Sequence, residues 1–115
     1  DSYSILLLKE KLLVSCWSFV EGEFYSSKMA RKDAVSFLRK EAFLNKNEAE
    51  NLIDQSSLDF FPAIKGFIGM VEMESLKKEY EIKTGQKYNL FNFNKEVLLH
   101  GAIPFYKLKK EVISM

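Results

Sequence analysis

The run Phe60-Phe61-Pro62-Ala63-Ile64-Lys65-Gly66-Phe67-Ile68-Gly69-Met70-Val71 opens the most apolar helix this chain can make. Pro62 has no amide hydrogen to leave unpaired and a φ already near the helical value, which suits the first turn of a helix. Apolar residues at 64, 67, 68, 71, 76 and 80 then keep helical spacing, so a helix is expected over 62–84 with Gly85 as its C-terminal stop. Two glycines lie inside it. Each costs about 1 kcal/mol relative to alanine, so Gly66 and Gly69 call for compensation. Close approach by another helix or loop is one reading, and a small-ligand pocket lined by Trp17, Phe60, Phe61 and Phe67 is the other.

Shorter amphipathic helices flank this segment. Residues 5–24 place apolar side chains at 5, 8, 12, 16 and 19, with a second row at 6, 13, 17, 20 and 24, so a helix with a wide buried face is expected, with Gly22 as a fraying point near its end. After the polar break at Ser26, Ser27 and Lys28, a second helix is expected over 29–43, with Ser27 as its N-cap and Ala34, Phe37, Leu38 and Ala42 on one face. Asn45 and Glu48 have the spacing of a capping box and start a third helix over 46–56, whose thin face of Ala49, Leu52 and Ile53 suggests a peripheral position. Asn92 is expected to cap a helix over 93–100 that ends at Gly101. Ile103-Pro104 then leads into a last helix with Phe105, Leu108 and Val112 in one stripe. The expectation is an all-α chain of about six helices in an irregular orthogonal or up-down bundle, with no strand, no internal repeat and no interdomain linker. Residues 1–115 then form a single helical domain, and Asp1 in place of an initiating Met suggests a processed chain or a fragment of a larger protein.

Composition narrows the function classes. Hydrophobic residues make up 47% of the 115 positions, with ten Phe and five Tyr, enough for a large aromatic core. Seventeen Lys/Arg against sixteen Asp/Glu give a net charge of +1, which provides no overall electrostatic footprint for nucleic acid. Charged residues interrupt every apolar run short of a bilayer's thickness. Cys16 is the only cysteine, so neither an internal disulfide nor a cysteine-based metal cluster can form within one chain. Cytoplasmic and exported settings are equally permitted.

Few residues stand out for chemistry. His100 is the only histidine and sits at a helix C-terminus, where the dipole favours it. Cys16 reads as a small buried hydrophobe. Glu21 with Glu23, and Glu72 with Glu74, are two residues apart and cannot face each other on a helix. Glu21, Glu23 and Glu74 are expected in solvent, while Glu72, on the most apolar helix, is the one expected to be partly buried and to need a partner such as Lys65 or a Tyr hydroxyl. No phosphate-cradling glycine loop, nucleophile elbow or His-Glu-x-x-His run is present.

Five pieces in order nevertheless carry a likeness: Lys28-Met29 before a helix, Gly69-x-x-Glu72-x-x-x-Leu76, Gly85-Gln86-Lys87-Tyr88, Phe93, and Leu98-Leu99-His100-Gly101-Ala102-Ile103-Pro104. They resemble the C-terminal part of the bacterial proteins grouped as domain-of-unknown-function family 885, over essentially residues 12–112. That resemblance implies a helical frame similar to the C-terminal part of zinc-dependent peptidases, whose His-Glu-x-x-Pro-Gly-His metal motif and Glu-Gly-Trp segment lie upstream of the matched region. Neither is present here. Within the matched region, Gly66 stands where the pattern has Tyr, Ala63 where it has Gln, Phe93-Asn94-Lys95 where it has Phe-His-Asp, Tyr25 where it has His, and Glu21 where it has Asp.

The first reading is therefore a non-catalytic helical domain, with no cofactor and no metal of its own, acting in packing or in association with a protein partner or a second copy. The alternative is the C-terminal piece of a zinc-dependent hydrolase whose metal-binding half lies elsewhere, for which the resemblance implies Tyr25, Lys65 and Asn94 as contributors.

Overall fold

The computed structural model describes residues 1–59 and 61–114. The chain is all-α, as expected: six α-helices and one short 3-10 turn, with no strand among the described residues. In order these are α1 (Ser2–Tyr25), α2 (Arg31–Glu41), α3 (Lys46–Leu58), α4 (Pro62–Thr84), the turn Gly85–Lys87, α5 (Leu90–Leu99) and α6 (Phe105–Ile113). Two compact units result, Asp1–Ile68 and Gly69–Met115.

In the first unit, α1, α2 and α3 each pack on the other two. Cys16 and Val20 of α1, Ala34, Val35 and Leu38 of α2, and Ala49 and Ile53 of α3 form the buried cluster, with Trp17, Phe24, Phe37 and Leu52 packed around it. Spacings of four (16 and 20, 34 and 38, 49 and 53) put each set on one helical face. Phe19 and Phe37 extend the contact with ring centroids 5.0 Å apart. The third helix lies at the surface and turns a thin face inward, as expected, with Ala49, Ile53 and Ser56 its buried residues. Ala49 and Ile53 are fully buried, because small Ala49 lets α3 lie close where a larger residue would hold it away.

In the second unit, Leu76 and Tyr80 of α4, Phe93 of α5, and Leu108 and Val112 of α6 form the core. The Tyr80 ring lies 5.4 Å from that of Phe93 and 6.4 Å from that of Tyr88. Lys109 on α6 pairs with Glu79 on α4 at 2.7 Å, and the Lys83 ammonium donates to the Ile113 carbonyl.

The helix boundaries follow the caps. Helix α1 begins three residues before the apolar pattern because Asp1 accepts the Ser4 amide at 2.7 Å, and it passes Gly22 without breaking. Asn45 and Glu48 form both arms of the capping box, each at 2.9 Å. Ser27 does not cap α2. It sits at φ 63°, and its amide, with those of Lys28 and Met29, closes the last carbonyls of α1, so α2 starts later, behind Ala30. Asn92 does not cap α5 either. Asn89 does, accepting the Asn92 amide at 3.2 Å; two asparagines three apart offered both registers, and the earlier one holds the extended backbone a cap requires. Gly85 (φ 53°) and Gly101 (φ 63°) take the left-handed conformation just past α4 and α5, where a side chain would be strained.

Neither interior glycine of α4 marks a close approach. Among the described residues, a methyl group built on Gly66 would meet only Val14 Cγ1, at 4.0 Å, and one built on Gly69 would meet nothing within 4 Å. Trp17 is committed to Leu52 and Ser56, and Phe61 lies edge-on to Tyr25 at 5.5 Å. Phe60, also expected in the pocket reading, lies outside the described residues.

Candidate functional site

Helix α4 opens on Phe61-Pro62-Ala63-Ile64, a start with no Ser, Thr, Asp or Asn at the capping position. Phe61, at φ 56°, cannot accept the amides of the first turn with its side chain. Pro62 has none to satisfy. The Lys65 amide already closes onto the Phe61 carbonyl at 3.3 Å, so two donors remain, on Ala63 and Ile64. Both go to Glu21 of α1: Ala63 donates to Oε2 at 3.2 Å and Ile64 to Oε1 at 3.0 Å. A residue some forty positions upstream thus does the work of an N-cap, and its carboxylate lies where the helix dipole favours negative charge.

Glu21 is 1% exposed, and so is Ser56. Burying a carboxylate is costly unless its lone pairs are met by donors. The Ser56 hydroxyl donates to Glu21 Oε2 at 2.5 Å, a length typical of a charge-assisted bond. Behind it, the Trp17 indole N–H reaches Ser56 Oγ at 2.8 Å and the Leu52 carbonyl at 3.1 Å. Trp17, Ser56, Glu21 and the first turn of α4 therefore form one continuous network within the first unit, tying α1 and α3 to the start of α4. Every donor and acceptor in it is used internally, so the arrangement is that of a structural tie.

Glu21 was expected in solvent, and its burial is the main correction to the sequence reading. Two signals pointed to it: Glu21 lies one turn beyond Trp17 on the apolar side of α1, and a helix opening on Phe-Phe-Pro has no local cap and needs one from elsewhere. Glu72 behaves differently. It is half-buried, as expected, beside Val71, Ser75 and Lys109 in the second unit.

The residues implied by the family resemblance fall in different places. Tyr25, the last residue of α1, donates its hydroxyl to the Ile53 carbonyl at 2.8 Å. Lys65 is exposed on the first turns of α4 and reaches the Asp59 carbonyl at 3.4 Å. Both belong to the first unit. Asn94 belongs to the second, exposed on α5 beside Phe91, Lys95, Leu98 and Leu99. Cys16 is buried in the first core, and desolvation, with Glu41 nearby, pushes its thiol pKa up. His100 is the C-cap residue of α5, and its Nε2 is buried with no hydrogen-bond partner among the described residues.

Among the described residues no three His, Cys, Asp or Glu side chains converge as metal ligands, so a zinc ion does not fit the donor set of these residues. No described helix is long and apolar enough to cross a membrane. No curated protein and no solved structure matches the chain. The order of short motifs along the helices has a counterpart in one family of bacterial proteins of unknown function, DUF885, whose pattern matches residues 1–112, and the chain belongs to that family.

Proposed function

We propose that residues 1–115 act as one non-catalytic helical domain, related to the C-terminal region of zinc-peptidase-like proteins, whose role is packing and association with another polypeptide. The observation that carries this reading is the first half of α1. Residues 1–12 are all exposed, and among them Tyr3, Ile5, Leu6, Leu7 and Leu8 keep 46–69% of their surface in water. Successive residues on a helix point about 100° apart, so Ile5, Leu6, Leu7 and Leu8 ring the whole circumference. A helix that is apolar all round is normally enclosed by protein. Covering a leucine fully is worth about 1.5–3 kcal/mol, so enclosing this turn and its neighbours would supply a driving force on the order of 5 kcal/mol before the costs of association.

Light scattering on the full chain over a range of concentrations tests the reading. Self-association that is lost in the Leu6→Asp, Leu8→Asp double variant, with helicity unchanged, supports it. A monomer at every concentration that also fails to bind a hydrophobic dye overturns it.

A further inference from the structure

A second surface of the first unit has a different chemistry. Between α2 and α3 runs an open groove of about 830 Å³ lined by Arg31, Lys32, Arg39, Lys40 and Lys46, with Val35 and Leu44 among its apolar lining. In a chain whose net charge is only +1, five cations along one groove are a segregation of charge. The arrangement follows from helical spacing: Arg31 and Lys32 sit two turns before Arg39 and Lys40, about 12 Å along the axis, with Val35 and Ser36 on the turn between. Asp33 and Glu41, the acidic residues of α2, do not line the groove. Arg31 is already committed to Asp54 at 2.8 Å, and Glu50 is the one acid in the lining. Lys32, Arg39, Lys40 and Lys46 make no ion pair or side-chain hydrogen bond among the described residues, and all four are exposed.

We propose that this groove docks an acidic segment of another polypeptide, with carboxylates about two helical turns apart flanking an aliphatic side chain that rests on Val35 and Leu44. Charge complementarity and the aliphatic lining point to this occupant. Nucleic acid fits less well, because the groove has no aromatic residue on which a base could stack and the chain as a whole lacks the charge for phosphate-driven binding. The proposal does not depend on the exposed first half of α1, which lies outside the groove.

The test uses the full chain and a fluorescein-labelled helical peptide carrying Glu-Glu pairs eight residues apart with leucine between them. Controls are the same peptide with every Glu changed to Gln, a single-stranded oligonucleotide, and inorganic phosphate as competitor. Anisotropy should report saturable binding of the Glu peptide, weakened at least tenfold when salt is raised from 50 to 500 mM and at least tenfold in the Arg39→Gln, Lys40→Gln variant. Both positions are exposed and unpaired, so the variant's circular dichroism should match the parent's. Binding of the Gln peptide as tightly as the Glu peptide, tighter binding of the oligonucleotide, displacement of the peptide by millimolar phosphate, or indifference of the double variant would each overturn the proposal. The Leu6→Asp, Leu8→Asp variant should bind the peptide normally, which separates this groove from the association surface on α1.

Discussion

Glu21 and Ile64, 43 positions apart, are joined by a 3.0 Å hydrogen bond in which the Ile64 amide donates to the Glu21 carboxylate. With the Ala63 amide on the other oxygen, α1 supplies the cap that the sequence of α4 omits. The start of α4 is therefore fixed by tertiary structure. It should form only when α1 and α3 have packed, because Ser56 of α3 supplies the third donor to the same carboxylate.

Replacing Glu21 exposes that dependence. Glu21→Ala leaves the Ala63 and Ile64 amides without an acceptor and turns the Ser56 hydroxyl to its longer bond with the Leu52 carbonyl at 3.2 Å, and should cost about 3 kcal/mol, the range for breaking a buried charge-assisted network. Glu21→Gln keeps one acceptor oxygen but turns an NH₂ group toward the amide donors, and should cost about 2 kcal/mol. Urea unfolding measures the totals. Hydrogen exchange locates them: the amides of Ala63 and Ile64 should lose protection before those in the middle of α2.

Ser56→Ala removes the donor to Glu21 and one of the two acceptors of the Trp17 indole. Trp17 keeps the Leu52 carbonyl at 3.1 Å, so the loss should be about 1–1.5 kcal/mol, with little change in tryptophan emission. Because the two residues share one hydrogen bond, Ser56→Ala and Glu21→Gln should not add. A double-mutant cycle by denaturant unfolding is expected to give a coupling of about 1 kcal/mol, and additivity would show that the 2.5 Å contact carries no energy of its own.

How far the sequence speaks depends on whether a signal is local. The Asn45 and Glu48 box, Pro62 in the first turn and Gly85 past the last were legible because each cap is read within four residues. The face of α6 was legible because helical spacing repeats along it, whereas the wide buried face expected of α1 is only partly so: Cys16 and Val20 are buried, but Ile5, Leu6, Leu8, Leu12 and Phe19 are exposed. Ser27 misled because its left-handed conformation finishes α1, which residue type alone does not reveal. Glu21 was missed for a deeper reason. A lone acid on a helix normally faces water, and only the pairing of an acid on the Trp17 side of α1 with an uncapped Phe-Phe-Pro start, forty residues on, identifies it as buried.

The glycines of α4 yield a prediction opposite to a packing role. Among the described residues, a Cβ at Gly69 meets nothing within 4 Å, and one at Gly66 makes only ordinary contact with Val14. Neither has a positive φ. Gly66→Ala and Gly69→Ala should each stabilise the chain by about 0.5–1 kcal/mol through helix propensity and a less flexible unfolded state. Thermal or urea unfolding reads this directly. A loss of stability at Gly69 would mean that its face is covered by something in solution.

Cys16 sets a limit at alkaline pH. Burial, reinforced by Glu41, raises its thiol pKa in the folded chain, whereas in the unfolded chain the thiol ionises in its ordinary range. Above that range the unfolded state has released a proton that the folded state still holds, so ν_U is smaller than ν_N and stability falls as pH rises. The contribution is fully present below the unfolded pKa and is lost until the pH passes the raised folded value. Unfolding free energies measured from pH 7 to pH 10 should therefore decline more steeply for the parent chain than for Cys16→Ala, whose lower baseline reflects the smaller side chain in the core. Iodoacetamide should modify the native protein slowly at pH 8.5, at a rate that rises with sub-denaturing urea, because burial between α1, α2 and α3 shields the thiol and disfavours its ionised form. Equal pH slopes for the two proteins, or rapid urea-independent alkylation, would show that Cys16 meets solvent in the folded state.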